Sequence, residues 1–414
     1  MILKHGAPNL MFKAGVKDNR CFRCGNRDKD LFYTYYSSYD ETDITYCLHC
    51  IALGRSDSLN PLYGYETVRQ RDNIDYALDF ELNDIQQAAS TRLLDAIKNN
   101  HNLLLYAVTG AGKTEITFEG IKYARNSGLN VAFVSPRIDV VKEVYLRLAD
   151  AFKGVRIDLM YSGVKSVFSH MFTVCTVHQL FNCIDHYDVI IIDEVDAFPL
   201  PEEPLLMETV KRAAAEDASI ILMTATPTAE MKLLVGKDNV VTIARRYHGY
   251  DLAVPKVIWQ NSSKYIKKKR IPPKLTELLD NIIKEDRKVL VFFPDITMMK
   301  TAAELLKKKY SRLESVYSRD AGRYEKVQLM RDGELDILLT TTILERGVTF
   351  LYLDVIVVDA HRFDSASLIQ ICGRVGRKPK DPTGNISLIT DFNTSGIRGT
   401  LAAISQFNKG RTAL

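Results

Sequence analysis

The segment Ala107-Val-Thr-Gly-Ala-Gly-Lys-Thr114 has the residue types of a phosphate-binding loop. Backbone N–H groups of Thr109, Gly110, Ala111 and Gly112 can turn toward an anion, and the two glycines let the chain pass close to it. Lys113 can reach the β- and γ-phosphates of a nucleotide, and the Thr114 hydroxyl can ligate Mg²⁺. The first position is Ala107, where the usual pattern has glycine. A second cluster, Asp193-Glu-Val-Asp196, ends an apolar run. There Asp193 would hold Mg²⁺, directly or through water, and Glu194 would orient and activate an attacking water. Much later, Gln370-Ile-Cys-Gly-Arg-Val-Gly-Arg377 carries Arg374 and Arg377. Their bidentate guanidinium groups suit the charge that develops on a transferred phosphoryl group. The chemistry these residue types imply is ATP hydrolysis.

Smaller motifs lie between and around these. Thr224-Ala-Thr-Pro227 offers hydroxyls that could bridge the Asp193–Asp196 carboxylates to bound nucleic acid. Gln86, in Asn83-Asp-Ile-Gln86, could read the adenine edge with its carboxamide. Thr340-Thr-Thr-Ile-Leu-Glu-Arg-Gly347 follows a strand-like run, and Gly347 is placed on the nucleotide side. Pro136 and Arg137 of Ser135-Pro-Arg137, Thr176, His178 and Gln179 of Thr176-Val-His-Gln179, Ser318, Thr340 and Thr341 are expected on nucleic acid, across the sheets from the nucleotide. Hydroxyls, amides and backbone N–H groups suit phosphate contacts, which carry no sequence specificity. His178 reads equally well as a structural histidine.

Four of the seven cysteines form a pattern. Cys21-Phe-Arg-Cys24 and Cys47-Leu-His-Cys50 are two CxxC turns, and two such turns close a tetrahedral thiolate cage around Zn²⁺. The segment between them alternates like a short hairpin, as in a zinc ribbon. His49 could ligate, but four sulfurs already complete the tetrahedron. Cys175, Cys183 and Cys372 read as buried inert thiols. A module this small cannot bury a sizeable core, so metal would supply much of its folding energy. Loss of the metal is then expected to unfold the module and leave the remaining chain folded.

The elements that must position these groups follow from patterning. From about residue 74, continuous apolar runs at 102–107, 129–135, 187–193 and 219–224 alternate with helical stretches such as 114–126. This texture indicates a parallel sheet covered on both faces. It is interrupted at 244–273, a connection holding the basic run Lys264-Tyr-Ile-Lys-Lys-Lys-Arg270 and the first strand of a second sheet. The rhythm resumes at 288–293, 335–340 and 354–359. The fold class is α/β: two tandem RecA-like parallel-sheet lobes behind a small zinc-ribbon-like module. The boundaries read as 1–70 for the module, 75–248 for the ATP-binding lobe and 249–414 for the second lobe. At 414 residues, 46% hydrophobic and 26% charged, the composition is that of a globular protein. The net charge of +4 permits a nucleic-acid partner without requiring one. No apolar run is long enough to span a bilayer, and the first residues lack the pattern of a signal peptide. An intracellular, cytoplasmic chain is the expectation.

In their order, GAGKTE, SPR, TVHQL, DEVD, TATP, TTTILERGVT and QICGRVGR resemble the superfamily 2 helicases over residues 86–377. Glu115 and DEVD look less like the DEAD class of RNA helicases and more like DNA translocases such as the primosome-restart helicase. That helicase carries its cysteines inside the second motor lobe. A four-cysteine module ahead of a compact two-lobe motor is similar to ComFA, the late-competence ATPase family of transformable Gram-positive bacteria. Asp193-Glu-Val-Asp-Ala-Phe-Pro199, Ala244-Arg-Arg-Tyr-His-Gly249 and Thr341-Thr-Ile-Leu-Glu-Arg-Gly-Val-Thr349 carry that likeness. The resemblance implies an ATPase dependent on single-stranded DNA, with ATP, Mg²⁺ and Zn²⁺, at the inner face of the membrane. Its implied partners are the DNA-uptake channel, a phosphoribosyltransferase-like competence protein and the DNA-processing protein that loads the recombinase. Self-association is left open. The competing expectation is a DNA repair or replication-restart helicase that unwinds duplex.

Overall fold

The computed structural model describes residues 2–4, 11–164, 170–346 and 348–410. The chain divides into two compact units, residues 1–106 with 113–241, and residues 107–112 with 242–414.

The first unit opens with short antiparallel strands: β1 (Ile2–Lys4), β2 (Met11–Ala14), β3 (Val16–Lys17), β4 (Arg20–Cys21), β5 (Phe32–Ser37), β6 (Thr42–Cys47) and β7 (Pro61–Tyr65). β1, β7 and β2 form one small sheet, β3 pairs with β4, and β5 with β6. The β5–β6 hairpin sets Phe32 opposite Cys47 and Tyr36 opposite Asp43. This is the ribbon the tyrosine-rich segment predicts, because aromatic and threonine side chains fit a half-buried pleated surface.

The connector that follows is bound along its length. Arg69 pairs with Asp188 at 3.0 Å, and Asn126 Nδ2 donates to the Ile74 carbonyl at 3.0 Å. Arg125, fully buried, pairs with Asp72 at 2.7 Å and donates to the carbonyls of Gln70 (3.1 Å), Leu129 (2.7 Å) and Met171 (3.1 Å). A buried guanidinium is tolerated only with its donors satisfied, so these residues are held as a set.

β8 (Leu103–Ala107), β9 (Val131–Ser135), β10 (Asp158–Met160), β11 (Phe172–Thr176), β12 (Tyr187–Asp193), β13 (Ala214–Thr224) and β14 (Val240–Ile243) then make a seven-stranded sheet. Its order is β10-β11-β9-β12-β13-β8-β14, with parallel pairing from β10 through β8. Val189 to Ile192 are all fully buried, so both faces of β12 are covered, as its unbroken apolar run requires. Helix Asp84–Lys98 starts in a capping box, with Asn83 Oδ1 accepting from the Gln86 N–H and Gln86 Oε1 from the Asn83 N–H. It lies so close to helix Phe118–Asn126 that a Cβ on Gly120 would stand 2.5 Å from Leu93 Cδ2. The single helix expected over 114–126 breaks at Thr117, whose buried hydroxyl donates to the Thr114 carbonyl at 2.6 Å.

In the second unit, β15 (Lys256–Trp259), β16 (Lys288–Phe292), β17 (Leu313–Val316), β18 (Ile337–Thr340), β19 (Leu353–Val357) and β20 (Ile386–Thr390) form a six-stranded parallel sheet. Its order is β15-β20-β19-β16-β18-β17. The interrupted stretch thus does contain the sheet's first strand, at its edge. Leu275, Leu279, Val289, Val291, Met299, Leu306 and Ile356 form the core beneath helices Pro273–Lys284 and Ile296–Leu306. Among the described residues, no helix is long and apolar enough to cross a membrane.

Candidate functional site

β8 delivers the chain into the phosphate loop. Gly110 (φ +83°) and Gly112 (φ +76°) occupy left-handed backbone that other residues adopt only with strain. Lys113 and Thr114 open the short helix beyond it, with Thr114 buried and Ala107 packed at the strand end. Next but one to β8 in the sheet, β12 ends at Asp193, which is 8% exposed. Burial pushes the Asp193 carboxyl up to about 6, while the Lys113 ammonium pulls the other way. Glu194 sits in the left-handed region at φ +55°, unusual for a glutamate, and its N–H donates to Asp193 Oδ1 at 2.9 Å. The strain falls where a carboxylate must leave the strand direction. A buried hydroxyl and a buried carboxylate are the donors a hard divalent cation takes, so Thr114 and Asp193 suit Mg²⁺.

Of the acids in this cluster, Asp196 meets the threonine hydroxyls. Its two carboxylate oxygens accept from Thr224 Oγ1 at 2.7 Å and Thr226 Oγ1 at 2.5 Å. Of the expected bridge from carboxylate to nucleic acid, the hydroxyl–carboxylate half is made to the last acid of the cluster. The Oε1 of Gln86 is engaged in the capping box, so an adenine contact would have to share that carboxamide with the helix start.

The nucleic-acid candidates fall on a shared edge within each sheet. In the first unit Ser135 and Thr176 are register partners at the ends of β9 and β11. Pro136 and Arg137 follow the one, and His178 and Gln179 follow the other in the turn of helix Val177–Asn182. These strands are parallel to β12, so the candidates lie along the same carboxyl edge as Asp193, not across the sheet from it. A parallel sheet sends every post-strand loop to one end. Burial lowers the His178 pKa, and its ring stacks edge-on to Phe181 with centroids 6.1 Å apart. In the second unit Thr340 pairs in register with Val316, which brings Thr341 and Ser318 to one edge. Thr340 itself is buried, and its hydroxyl donates to the Thr341 carbonyl at 3.0 Å.

Helix Ser365–Cys372 carries the arginine box at its C-terminal end. Arg377 is half-buried, and its Nε donates to the Gly373 carbonyl at 3.0 Å. Arg374 is 2% exposed and donates to the Val348 carbonyl, so it points into the body of this unit. Gly347 lies outside the described residues.

The four cysteine sulfurs all lie within 4.8 Å of one another. Sγ–Sγ distances are 3.7 Å for Cys21–Cys50 and 3.6 Å for Cys24–Cys47. A Zn–S bond of about 2.3 Å implies a tetrahedral edge of about 3.8 Å, so the cage has the size of zinc. Hydrogen bonds from Cys24, Cys47 and Cys50 hold the Cys21 thiol far below its usual value, which favours a thiolate. Ser56 Oγ stands 3.5 Å from Cys21 Sγ, and Asn26 Nδ2 stands 3.9 Å from Cys47 Sγ. Arg23 and Arg212 feel the cysteine charge and would offset the two net negative charges of a Zn(Cys)₄ centre. His49 is turned elsewhere, 3.8 Å from Glu203 and edge-on to Phe181. Cys175, Cys183 and Cys372 are buried free thiols, and burial pushes the pKa of each up.

A phosphate loop and acid pair on one parallel sheet, with a second parallel sheet bearing an arginine box, define an ATP-hydrolysing motor of the superfamily 2 helicase class. Residues 79–229 match the family model "Type III restriction enzyme, res subunit", and residues 273–379 match "Helicase conserved C-terminal domain". Residues 6–64 match "Competence protein ComFA N-terminal domain", and the chain belongs to the ComFA family. It is 38% identical to competence protein ComFA of Bacillus subtilis, over 94% of this chain and 86% of that protein. It is 36% identical to ComFA of Streptococcus pneumoniae, over 94% of this chain and 90% of that one. Among solved structures, yeast Dbp5 bound to RNA and ADP BeF3 superposes with TM-score 0.58 at 17% identity, covering 78% of this chain and 87% of that one. RecG bound to a three-way DNA junction superposes with TM-score 0.55 at 17% identity, covering 81% of this chain and 46% of that one. These two likenesses concern the fold.

Proposed function

We propose that this chain is an ATP-driven translocase on single-stranded DNA that draws transforming DNA inward during natural competence. The observation that carries the reading is identity of 36–38% with ComFA proteins across the cysteine module and both lobes together. Lys113 and the loop amides hold the triphosphate, Thr114 and Asp193 hold Mg²⁺, and Glu194 orients the attacking water. A Mg²⁺ ion held there would supply positive charge to offset the charge that develops on the transferred phosphoryl group. Arg377 stabilises the transferred phosphoryl group; Arg374 joins it after leaving the Val348 carbonyl. Gln86 and Gly347 complete the nucleotide site. Pro136, Arg137, Thr176, His178, Gln179, Ser318, Thr340 and Thr341 grip the DNA backbone, which suits travel without sequence preference. Cys21, Cys24, Cys47 and Cys50 hold structural zinc. The motor works at the inner face of the membrane with the uptake channel, a phosphoribosyltransferase-like competence protein and the recombinase-loading protein.

The test is steady-state ATP turnover with no polymer, single-stranded DNA, duplex DNA and RNA at one stated salt concentration. Stimulation by single-stranded DNA supports the proposal. Stimulation chiefly by RNA, or by no polymer, overturns it. Robust separation of a tailed duplex would favour the repair-helicase reading, to which the 26% identity with RecG of Streptococcus pneumoniae lends support.

A further inference from the structure

Arg246 follows β14 and is 2% exposed. Among the described residues no carboxylate pairs with it. The influences acting on it are its own burial and the like charge of Arg377, which together push its pKa down to about 10. Its donors go to backbone carbonyls instead. Nη1 donates to Val375 at 2.7 Å and to Gly376, Nη2 approaches Gly373 at 3.5 Å, and Nε has no partner.

These three carbonyls belong to the turn that ends helix Ser365–Cys372, and the turn bears Arg374 and Arg377. The last carbonyls of a helix lack intrahelical donors and carry partial negative charge. Arg246 satisfies them from more than a hundred positions away in the chain. The turn is built for it. Gly376 is left-handed at φ +68°, and a Cβ there would stand 2.3 Å from the Pro382 carbonyl oxygen and 2.8 Å from Arg246 Nη1. His248 Nε2 adds a second donor to the Gly376 carbonyl at 3.0 Å. The segment bearing Arg246 is fixed in turn by the Tyr247 N–H, which donates to the Gly110 carbonyl of the phosphate loop at 3.1 Å.

The Gly373 carbonyl is shared. It accepts from Arg377 Nε at 3.0 Å and Thr109 Oγ1 at 3.4 Å, and it faces Arg246 Nη2 at 3.5 Å. When Arg377 leaves for a phosphate, this buried oxygen would lose its best donor and its only charged one at normal hydrogen-bond length. A second guanidinium already in place, beside the Thr109 hydroxyl, offsets that loss.

We propose that Arg246 is a positioning residue for ATP hydrolysis, holding the 373–376 turn and taking over the Gly373 carbonyl when Arg377 swings to the nucleotide. The proposal rests on ATP turnover and not on which polymer stimulates it.

The experiment uses the full chain with Arg246→Ala, Arg246→Lys, Arg377→Ala and the double variant Arg246→Ala/Arg377→Ala. Turnover with and without polymer, KM for ATP and melting temperature are read for each. Arg246→Ala should lower kcat by about tenfold or more with KM changed by less than about threefold, because a displaced catalytic group costs rate and not ground-state binding. Arg246→Lys, which can still donate to one carbonyl, should recover part of the rate. The double variant should be no slower than Arg377→Ala alone, since both changes disable one device. Losses that multiply in the double variant overturn the proposal, as does native kcat in Arg246→Ala or a rise in KM at unchanged kcat. If Arg246→Ala melts far below the native chain, Arg246→Lys combined with Arg377→Ala gives the same comparison, read the same way.

Discussion

Arg23, set inside the first CxxC turn, donates twice to one oxygen of Asn182, from Nε at 3.1 Å and from Nη2 at 2.7 Å. Its remaining nitrogen donates to the Gly54 carbonyl at 2.7 Å. From the other side Arg212 donates to the carbonyls of Phe22 (3.2 Å) and Phe181 (2.8 Å). Cys21, Cys24, Cys47 and Cys50 thus share one buried cluster with Val177, Leu180 and Phe181 of helix Val177–Asn182, which follows β11 of the seven-stranded sheet.

This docking gives a reason for metal loss to reach beyond the module, in place of the expectation that the rest of the chain stays folded. Cys21→Ser with Cys24→Ser, or removal of zinc by chelation, should destabilise the whole first unit. A loss of about 2 kcal/mol or more corresponds to a drop of about 4–8 °C in a unit of this size. Metal content and calorimetric melting check it; an unmoved main transition would refute it.

Lys113→Ala should abolish ATP turnover and weaken nucleotide binding. Glu194→Gln should lower turnover by about a hundredfold or more while leaving binding nearly intact, because in the proposed mechanism it removes the water's orienting base and not a phosphate contact. Turnover assays and binding of a fluorescent ATP analogue separate the two.

Thr224→Ala with Thr226→Ala should remove two hydroxyl donors from the half-buried Asp196 carboxylate. Polymer-stimulated turnover should fall several-fold, with KM for ATP changed little, since neither threonine belongs to the phosphate loop. A rise in KM alone would show that the clamp serves nucleotide binding.

Stability should fall on acidification through His186. Its Nε2–H donates to the His170 carbonyl at 2.8 Å and its Nδ1 accepts from the Thr67 hydroxyl at 3.0 Å, so the neutral ring is fully satisfied. Burial pushes its pKa down to about 4, with Arg69 acting the same way and Asp188 opposing. The unfolded chain takes up that proton near pH 6.5, so between about 6.5 and 4 unfolding binds protons and stability is lost as pH drops. The full effect is at most about 3 kcal/mol. His186→Gln should flatten the dependence of melting temperature on pH across that window.

What the sequence made legible follows from how local each signal is. The strands β8, β12 and β16 are unbroken apolar runs, and the glycines of the phosphate loop announce its backbone, so these could be read directly. β11 (Phe-Thr-Val-Cys-Thr) and β20 (Ile-Ser-Leu-Ile-Thr) are equally buried, but their hydroxyl residues interrupt the apolar run that would have marked them. The cysteine cage was legible from spacing. Arg23 and Arg246 were not, because both act through partners many residues away in the chain, and spacing carries no trace of them. The inward turn of Arg374 belongs to the same class.

The buried Arg125 bears on how this protein can be cut and rejoined. Its ligands are Asp72 and the Gln70 carbonyl on one side and Leu129 and Met171 on the other. A fragment begun at residue 75 would keep the guanidinium and discard its counter-ion, stranding a charge in the interior at a cost of about 3–5 kcal/mol. The connector is therefore a strut of the motor, and a fragment that keeps both Arg125 partners begins before Gln70. Exchange of cysteine modules between relatives should succeed only when the seam lies upstream of that residue and the new module brings a counterpart to Arg23.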